Sequence, residues 1–174
     1  FSLAIPCGMT VAALATGNGV VLKPEGQTPL IALRLTGLLH EAVVPRDALV
    51  CLTGHGSEAG QALVESPDVA MVAFTGSRGV GVRMHEEVAR VTPRDGVVKA
   101  LVAEMGGKNA ALVFADADMD EAVESIVHSA FGHANQKCSA VSRVLVERTV
   151  LERFSDRLVE AARSLHIGPA DAAT

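Results

Sequence analysis

The chain contains no tryptophan and no tyrosine, and only five phenylalanines among 174 residues. A core without large rings must be built from Ala, Val and Leu, as in parallel α/β sheets whose strands are covered on both faces. Cysteine is scarce too: Cys7, Cys51 and Cys138 form no C-x-x-C pair, which excludes a disulfide framework and fits a reducing, cytoplasmic setting. The six histidines are dispersed, with no H-x-x-x-H or Cys/His cluster, so no metal site is assigned. A net charge of −5 offers nucleic acid no broad attraction. No uninterrupted apolar run approaches the roughly 18 residues of a membrane span. The apolar opening stretch, residues 1–15, imitates a signal-peptide core but lacks a basic flank and contains Pro6 and Gly8, so it reads as a buried helix entry.

What is present is a large apolar fraction, 49% of residues, which argues a globular chain with a sizeable buried core. Short β-branched or apolar runs recur at 20–22, 49–52, 69–74, 97–102, 110–114 and 144–146, each of strand length. Helical patterns alternate with them. The clearest is 28–42, where Thr28 can cap, Pro29 takes the first helical position, and Ile31, Leu35, Leu38 and Ala42 share a face. Further helices are expected from Ser57 toward Val64, at 79–89, at 119–131 behind the acidic residues Asp116 and Asp118, and at 150–165. Alternating strands and helices predict an α/β fold with a doubly wound parallel sheet. Turn-rich breaks fall at 92–96 and at Gly106-Gly107, and a lobe boundary near 104–108 would place Glu104 in a cleft between lobes.

Four tracts carry residues suited to chemistry. Lys23-Pro24 ends the run 20–22, and the carboxyl end of a parallel strand faces the ligand crevice of an α/β sheet. A lysine there can hold a ribose hydroxyl or a phosphate; a solvated strand-end lysine is an equally good reading of position alone. Phe74-Thr75-Gly76-Ser77 follows a strand and opens a helix, which suits close backbone approach to a diphosphate, although the glycine spacing is not G-x-G-x-x-G. Gly54-His55-Gly56 is a weaker turn of the same kind. Cys138 lies among Gln136, Lys137 and Ser139, a polar setting for an accessible thiol whose thiolate Lys137 can support. Cys7 and Cys51 sit in apolar contexts and read as core residues. Glu104, upstream of the thiol, supplies a carboxylate able to activate water, which a thioester intermediate needs for hydrolysis.

Taken in order, these tracts resemble the NAD(P)-dependent aldehyde dehydrogenase superfamily through nearly all of the chain. The Ala-Thr-Gly-Asn motif appears at 15–18, the lysine strand at 20–24, the Phe-Thr-Gly-Ser turn at 74–77, a Glu-Met-Gly-Gly-Lys tract at 104–108 and the nucleophile loop at 136–138. The resemblance implies that Cys138 attacks an aldehyde and Glu104 activates the hydrolytic water. It implies that Lys23 and Pro24 border the adenine ribose, that Gly76 and Ser77 lie beside the diphosphate of NAD or NADP, and that Phe74, Thr75 and Val80 lie near it. Residues 1–103 would form part of a Rossmann-like cofactor domain and 104–174 the first part of a catalytic domain. Within the superfamily, Glu-Met-Gly-Gly-Lys-Asn and Gln-Lys-Cys-Ser-Ala look most like the 1-pyrroline-5-carboxylate (glutamate semialdehyde) dehydrogenases of proline catabolism, in which Ser139 would help to hold the substrate carboxylate.

Some expected features are displaced or missing. Where the family commonly has Glu three residues after the lysine, this chain has Gly26, with Glu25 one place earlier, so the choice between NAD and NADP stays open. The family's oxyanion-hole Asn would precede Phe1, and its downstream Glu-x-Phe-Gly-Pro tract does not occur. Family members run to roughly three times this length. The chain is therefore expected to be a central piece of a homo-oligomeric enzyme acting on a small aldehyde, with little activity alone. A non-catalytic dinucleotide-binding homologue is the rival reading, and an inert Cys138 would favour it. A reductase that hands its acyl group to coenzyme A is disfavoured by Glu104.

Overall fold

The structure, a computed structural model, describes residues 3–94 and 96–169. The chain divides into two compact units, Phe1–Met105 and Gly106–Thr174. Both are built from strand–helix–strand units whose strands run parallel, so the fold class is α/β.

The first unit opens with α1 (Ala4–Ala15), then β1 (Val20–Leu22), α2 (Pro29–Ala42) and β2 (Leu49–Cys51), with β1 and β2 paired from Val20↔Leu49 to Leu22↔Cys51. A wide helical turn, Gly56–Gly60, leads into the short α3 (Gln61–Glu65). After it, β3 (Met71–Thr75), α4 (Arg78–Val88) and β4 (Ala100–Glu104) form the second parallel pair, in register from Met71↔Ala100 to Thr75↔Glu104. Parallel strands need a crossover, and α2 and α4 supply it.

Several local expectations need correcting. Thr28 does precede α2, but its hydroxyl makes no capping bond. The buried stripe of α2 is Ala32, Leu35 and Thr36, whereas Ile31 and Leu38 are exposed, because a two-stranded pair covers only a narrow stripe of the helix. The opening helix forms but buries only Thr10. Cys7 and Cys51 are half-buried rather than core residues. The strand expected at 97–102 begins at Ala100, leaving Val97 and Val98 exposed. Between them and the strand, Lys99 turns inward to donate from Nζ to Val64 O at 2.6 Å and Ser66 O at 2.8 Å, at the carboxyl end of α3. A cation at that end of a helix meets its unpaired carbonyls. Burial pushes the pKa of this lysine down.

The second unit is β5 (Asn109–Val113), α5 (Met119–Phe131), β6 (Val141–Val146) and α6 (Leu151–Arg163). Asp118 caps α5, its Oδ1 accepting from the N–H groups of Asp120 and Glu121, each at 3.0 Å. Strands β5 and β6 pair in parallel, with a register shift between Asn109 and Ala110. Val113, Val123, Ile126 and Phe154 form the core of this unit, flanked by Met119, Val127, Val144 and Val146. The helices cover one face of the pair. On the strands themselves, Leu112 and Leu145 are 63% and 55% exposed, an unusual state for parallel strands, which are normally covered on both sides.

Candidate active site

The turn at residues 75–78 is built by regular backbone. β3 ends at Thr75, and Ser77 takes the N-cap position of α4 with φ −72° and ψ 148°, its Oγ accepting from Val80 N–H at 3.4 Å. Gly76 donates its N–H to Glu104 O at 3.0 Å, extending the β3–β4 ladder by one bond, so Thr75, Gly76 and Glu104 meet at the carboxyl ends of two parallel strands. The Phe74 ring folds over Gly76, where a Cβ would come within 2.4 Å of it. At Gly81 a Cβ would lie 2.7 Å from the Met105 sulfur and 3.4 Å from the same ring. Gly79 differs, since a Cβ there would meet nothing within 4 Å. The opening turn of α4 is accessible from that side.

Lys23 and Pro24 follow β1. Pro24 is buried, and Lys23 Nζ donates to Pro24 O at 2.8 Å. Beside them a cleft of about 180 Å³ is lined by Pro24, Glu25, Gly26, Pro29, Thr53, Gly54 and His55. The weak Gly54-His55-Gly56 turn therefore shares a wall with the lysine tract, and Glu25 reaches this cleft.

Cys138 lies in the second unit and is exposed. It sits with Ser139 at the centre of a turn closed by the Ala140 N–H donating to Lys137 O at 3.1 Å. The approach to it is strained: His133, Ala134 and Asn135 have φ of 52°, 53° and 61°. L-residues pay about 1 to 2 kcal/mol for this left-handed conformation, Asn least among them. Two asparagine side chains bond the main chain of this loop. Asn135 Nδ2 donates to Ala130 O at 2.7 Å and Val141 O at 3.2 Å, and Asn109 Nδ2 donates to Cys138 O at 2.7 Å and Ala140 O at 3.2 Å. Gly107 approaches so closely that a Cβ on it would lie 2.9 Å from Cys138 O. Glu104 belongs to the first unit, at the exposed end of β4. Among the described residues, no three His, Cys, Asp or Glu side chains group to hold a metal, and no helix is long and apolar enough to cross a membrane.

The profile of the aldehyde dehydrogenase family matches residues 1–174. The chain belongs to the aldehyde dehydrogenase family. Among its relatives, the 1-pyrroline-5-carboxylate dehydrogenase of Geobacillus thermodenitrificans is 46% identical over 100% of this chain and 34% of its own length. The enzyme of the same name from Bacillus subtilis is 44% identical over 97% of the chain and 33% of its own length. Among solved structures, proline utilization A from Bdellovibrio bacteriovorus superposes with a TM-score of 0.93 at 45% identity, covering 98% of this chain and 18% of that one. The Thermus 1-pyrroline-5-carboxylate dehydrogenase with bound NAD gives 0.92 at 37% identity, covering 97% and 33%. The chain thus spans about a third of the length of the curated relatives it matches.

Membership gives the expected tracts a common frame, and the structure adds residues that the motifs alone did not single out. Asn109 and Gly107 belong to the Glu-Met-Gly-Gly-Lys-Asn tract, yet their contacts with residues 138–140 run across a long sequence separation. Asn135 had one local signal, since Asn is enriched at positive φ among non-glycine residues. No local signal marked Lys99.

Proposed function

We propose that the enzyme containing this chain oxidises an aldehyde to a carboxylic acid with NAD or NADP, its substrate being L-glutamate γ-semialdehyde. The observation that carries this reading is 46% identity along the whole chain to a 1-pyrroline-5-carboxylate dehydrogenase, with Cys138, Ser139 and Glu104 all on accessible positions. The first unit serves as part of the cofactor domain and the second as the start of the catalytic domain.

In this reading the Cys138 thiolate bonds to the aldehyde carbon, and the carbonyl oxygen takes up the electron pair to give a thiohemiacetal. When bound, NAD or NADP would supply the hydride acceptor; the thiohemiacetal, once it has lost that hydride, is a thioester on Cys138. Glu104 takes a proton from water, the resulting hydroxide adds to the thioester carbon, and the C–S bond breaks to release the acid and regenerate the thiolate. Ser139, next to the nucleophile, offers its hydroxyl to the distal carboxylate of the substrate.

The residues suit a dinucleotide. The opening turn of α4 is accessible at Gly79, the capping Ser77 leads into it, and helix N-termini favour anions. Thr75, Gly76 and Ser77 would flank the diphosphate, with Phe74 and Val80 behind them, while Lys23, Pro24 and the cleft beside them would take the adenosine end. Glu25 reaches the same cleft, so it is placed to influence the choice between NAD and NADP.

The test is a comparison of glutamate semialdehyde with simple aliphatic aldehydes, under NAD and under NADP, on the full-length enzyme. The proposal expects preference for the semialdehyde, loss of turnover in Cys138→Ser, and in Glu104→Gln a single burst of reduced nucleotide followed by arrest at the acyl-enzyme. Clear preference for aliphatic aldehydes would remove the substrate assignment. The 174-residue chain alone is expected to turn over little or no substrate.

A further inference from the structure

We propose that Asn109 and Asn135 act together as positioning residues for Cys138, a carboxamide clamp that holds the nucleophile loop in a conformation its backbone would otherwise leave. The proposal rests on the reading of Cys138 as the nucleophile. Each carboxamide uses both of its N–H bonds on main-chain carbonyls, Asn135 on Ala130 and Val141, Asn109 on Cys138 and Ala140. All four partners are carbonyl oxygens, so the nitrogen of each side chain, not its oxygen, must face them.

The bonds are distributed with a purpose that packing alone would not need. Asn135 ties the end of α5 to the first residue of β6, which sets the span the loop must bridge. Asn109 then grips the two carbonyls on either side of Ser139, one of them belonging to Cys138 itself. Gly107 fills the remaining side, leaving no room for a Cβ beside Cys138 O. The peptide plane after the thiol is therefore fixed from two directions. The loop that needs this help runs through three consecutive left-handed residues, none of them glycine. Such strain persists only where the surroundings over-determine it, and it concentrates at functional sites. Asn135 serves both needs, tolerating positive φ in its backbone and donating through its side chain.

A clamp of this kind acts on reacting geometry, so its loss should appear in kcat and not in KM, a misplacement of about 1 Å costing about 100-fold. The experiment uses the full-length enzyme and the variants Asn109→Asp, Asn135→Asp and Asn135→Gly. Aspartate keeps the shape of each side chain and removes both donors. Glycine at 135 keeps the backbone conformation and removes the carboxamide. The expected result is a kcat lowered about 100-fold in all three, with KM for the aldehyde and nucleotide affinity close to wild type. If the aspartate variants do not fold, Asn109→Ala and Asn135→Gly carry the same readout. Wild-type kcat in the donor-lacking variants would overturn the clamp while Cys138→Ser remained inactive. Full turnover by Cys138→Ser would overturn the clamp and the nucleophile assignment together.

Discussion

The turn at residues 75–78 and the loop at residues 132–140 each join one element to the next, and they are held in opposite ways. The turn continues a strand ladder through Gly76 N–H to Glu104 O and passes directly into a capped helix. Its backbone angles are ordinary, and its one glycine, Gly76, serves close approach by Phe74. The loop takes three residues through left-handed space and relies on side chains reaching in from β5 and from within the loop itself. An anion-binding turn needs only main-chain N–H groups at a helix start, which regular structure supplies. A nucleophile needs one side chain held at one place, and regular structure does not supply that. The difference suggests that the turn should tolerate substitution of its side chains better than the loop does.

The largest expected effect comes from removing the platform on which the loop is strung. Phe154 is 1% exposed in the core that packs α5 and α6 against β6. Phe154→Ala should destabilise the second unit by about 3 to 5 kcal/mol, measured by urea unfolding. Gly107→Ala comes next, at about 1 to 3 kcal/mol, because its Cβ would strike a backbone oxygen that cannot rotate away. If that variant were neutral in stability, the loop would be looser than its bonding implies.

Lys99 sharpens the contrast from within the first unit, as a side chain that also secures main-chain carbonyls. Lys99→Met should cost about 1 to 3 kcal/mol by leaving the carbonyls of Val64 and Ser66 without their donor. Burial lowers the pKa of this lysine from its ordinary 10.5, so the folded state holds the proton less firmly than the unfolded chain. As pH rises through the lowered pKa toward 10.5, that penalty disappears, and the stability of the wild type should rise relative to Lys99→Met. A flat difference in parallel unfolding curves across that range would refute the linkage.

Ser77→Ala tests the regular turn and should cost only about 0.5 kcal/mol, at the low end for an N-cap because the Oγ bond is 3.4 Å long. Ala134→Gly tests the strained loop and has the opposite sign. It should stabilise the chain by about 1 kcal/mol at most, since glycine adopts positive φ without steric cost. If Ala134→Gly destabilised and Ser77→Ala cost several times more, the assignment of strain to the loop and regularity to the turn would be reversed.

Much of this architecture could be read in advance, and the exceptions share a cause. The helix at 119–131 was legible because its acidic cap and its apolar stripe, Val123, Ile126 and Val127, are local signals of 3.6-residue period. The exposed face of α2 and the late start of β4 were not, because they depend on how little sheet lies beneath the helix and on Lys99 finding carbonyls more than 30 positions away.

The candidate site divides in the same way. Residue types and their order along the chain determined the family and the strand-to-helix turn, and singled out Cys138 and Glu104 as candidates, since each is carried by short contiguous tracts. Only the tertiary structure decided that Gly76 and Glu104 share a ladder end, that Glu25 and His55 face one cleft, and that two asparagine carboxamides bond the main chain around Cys138. A carboxamide can bond any carbonyl within reach, so its sequence position says nothing of its partner until the strands and helices have brought the two together.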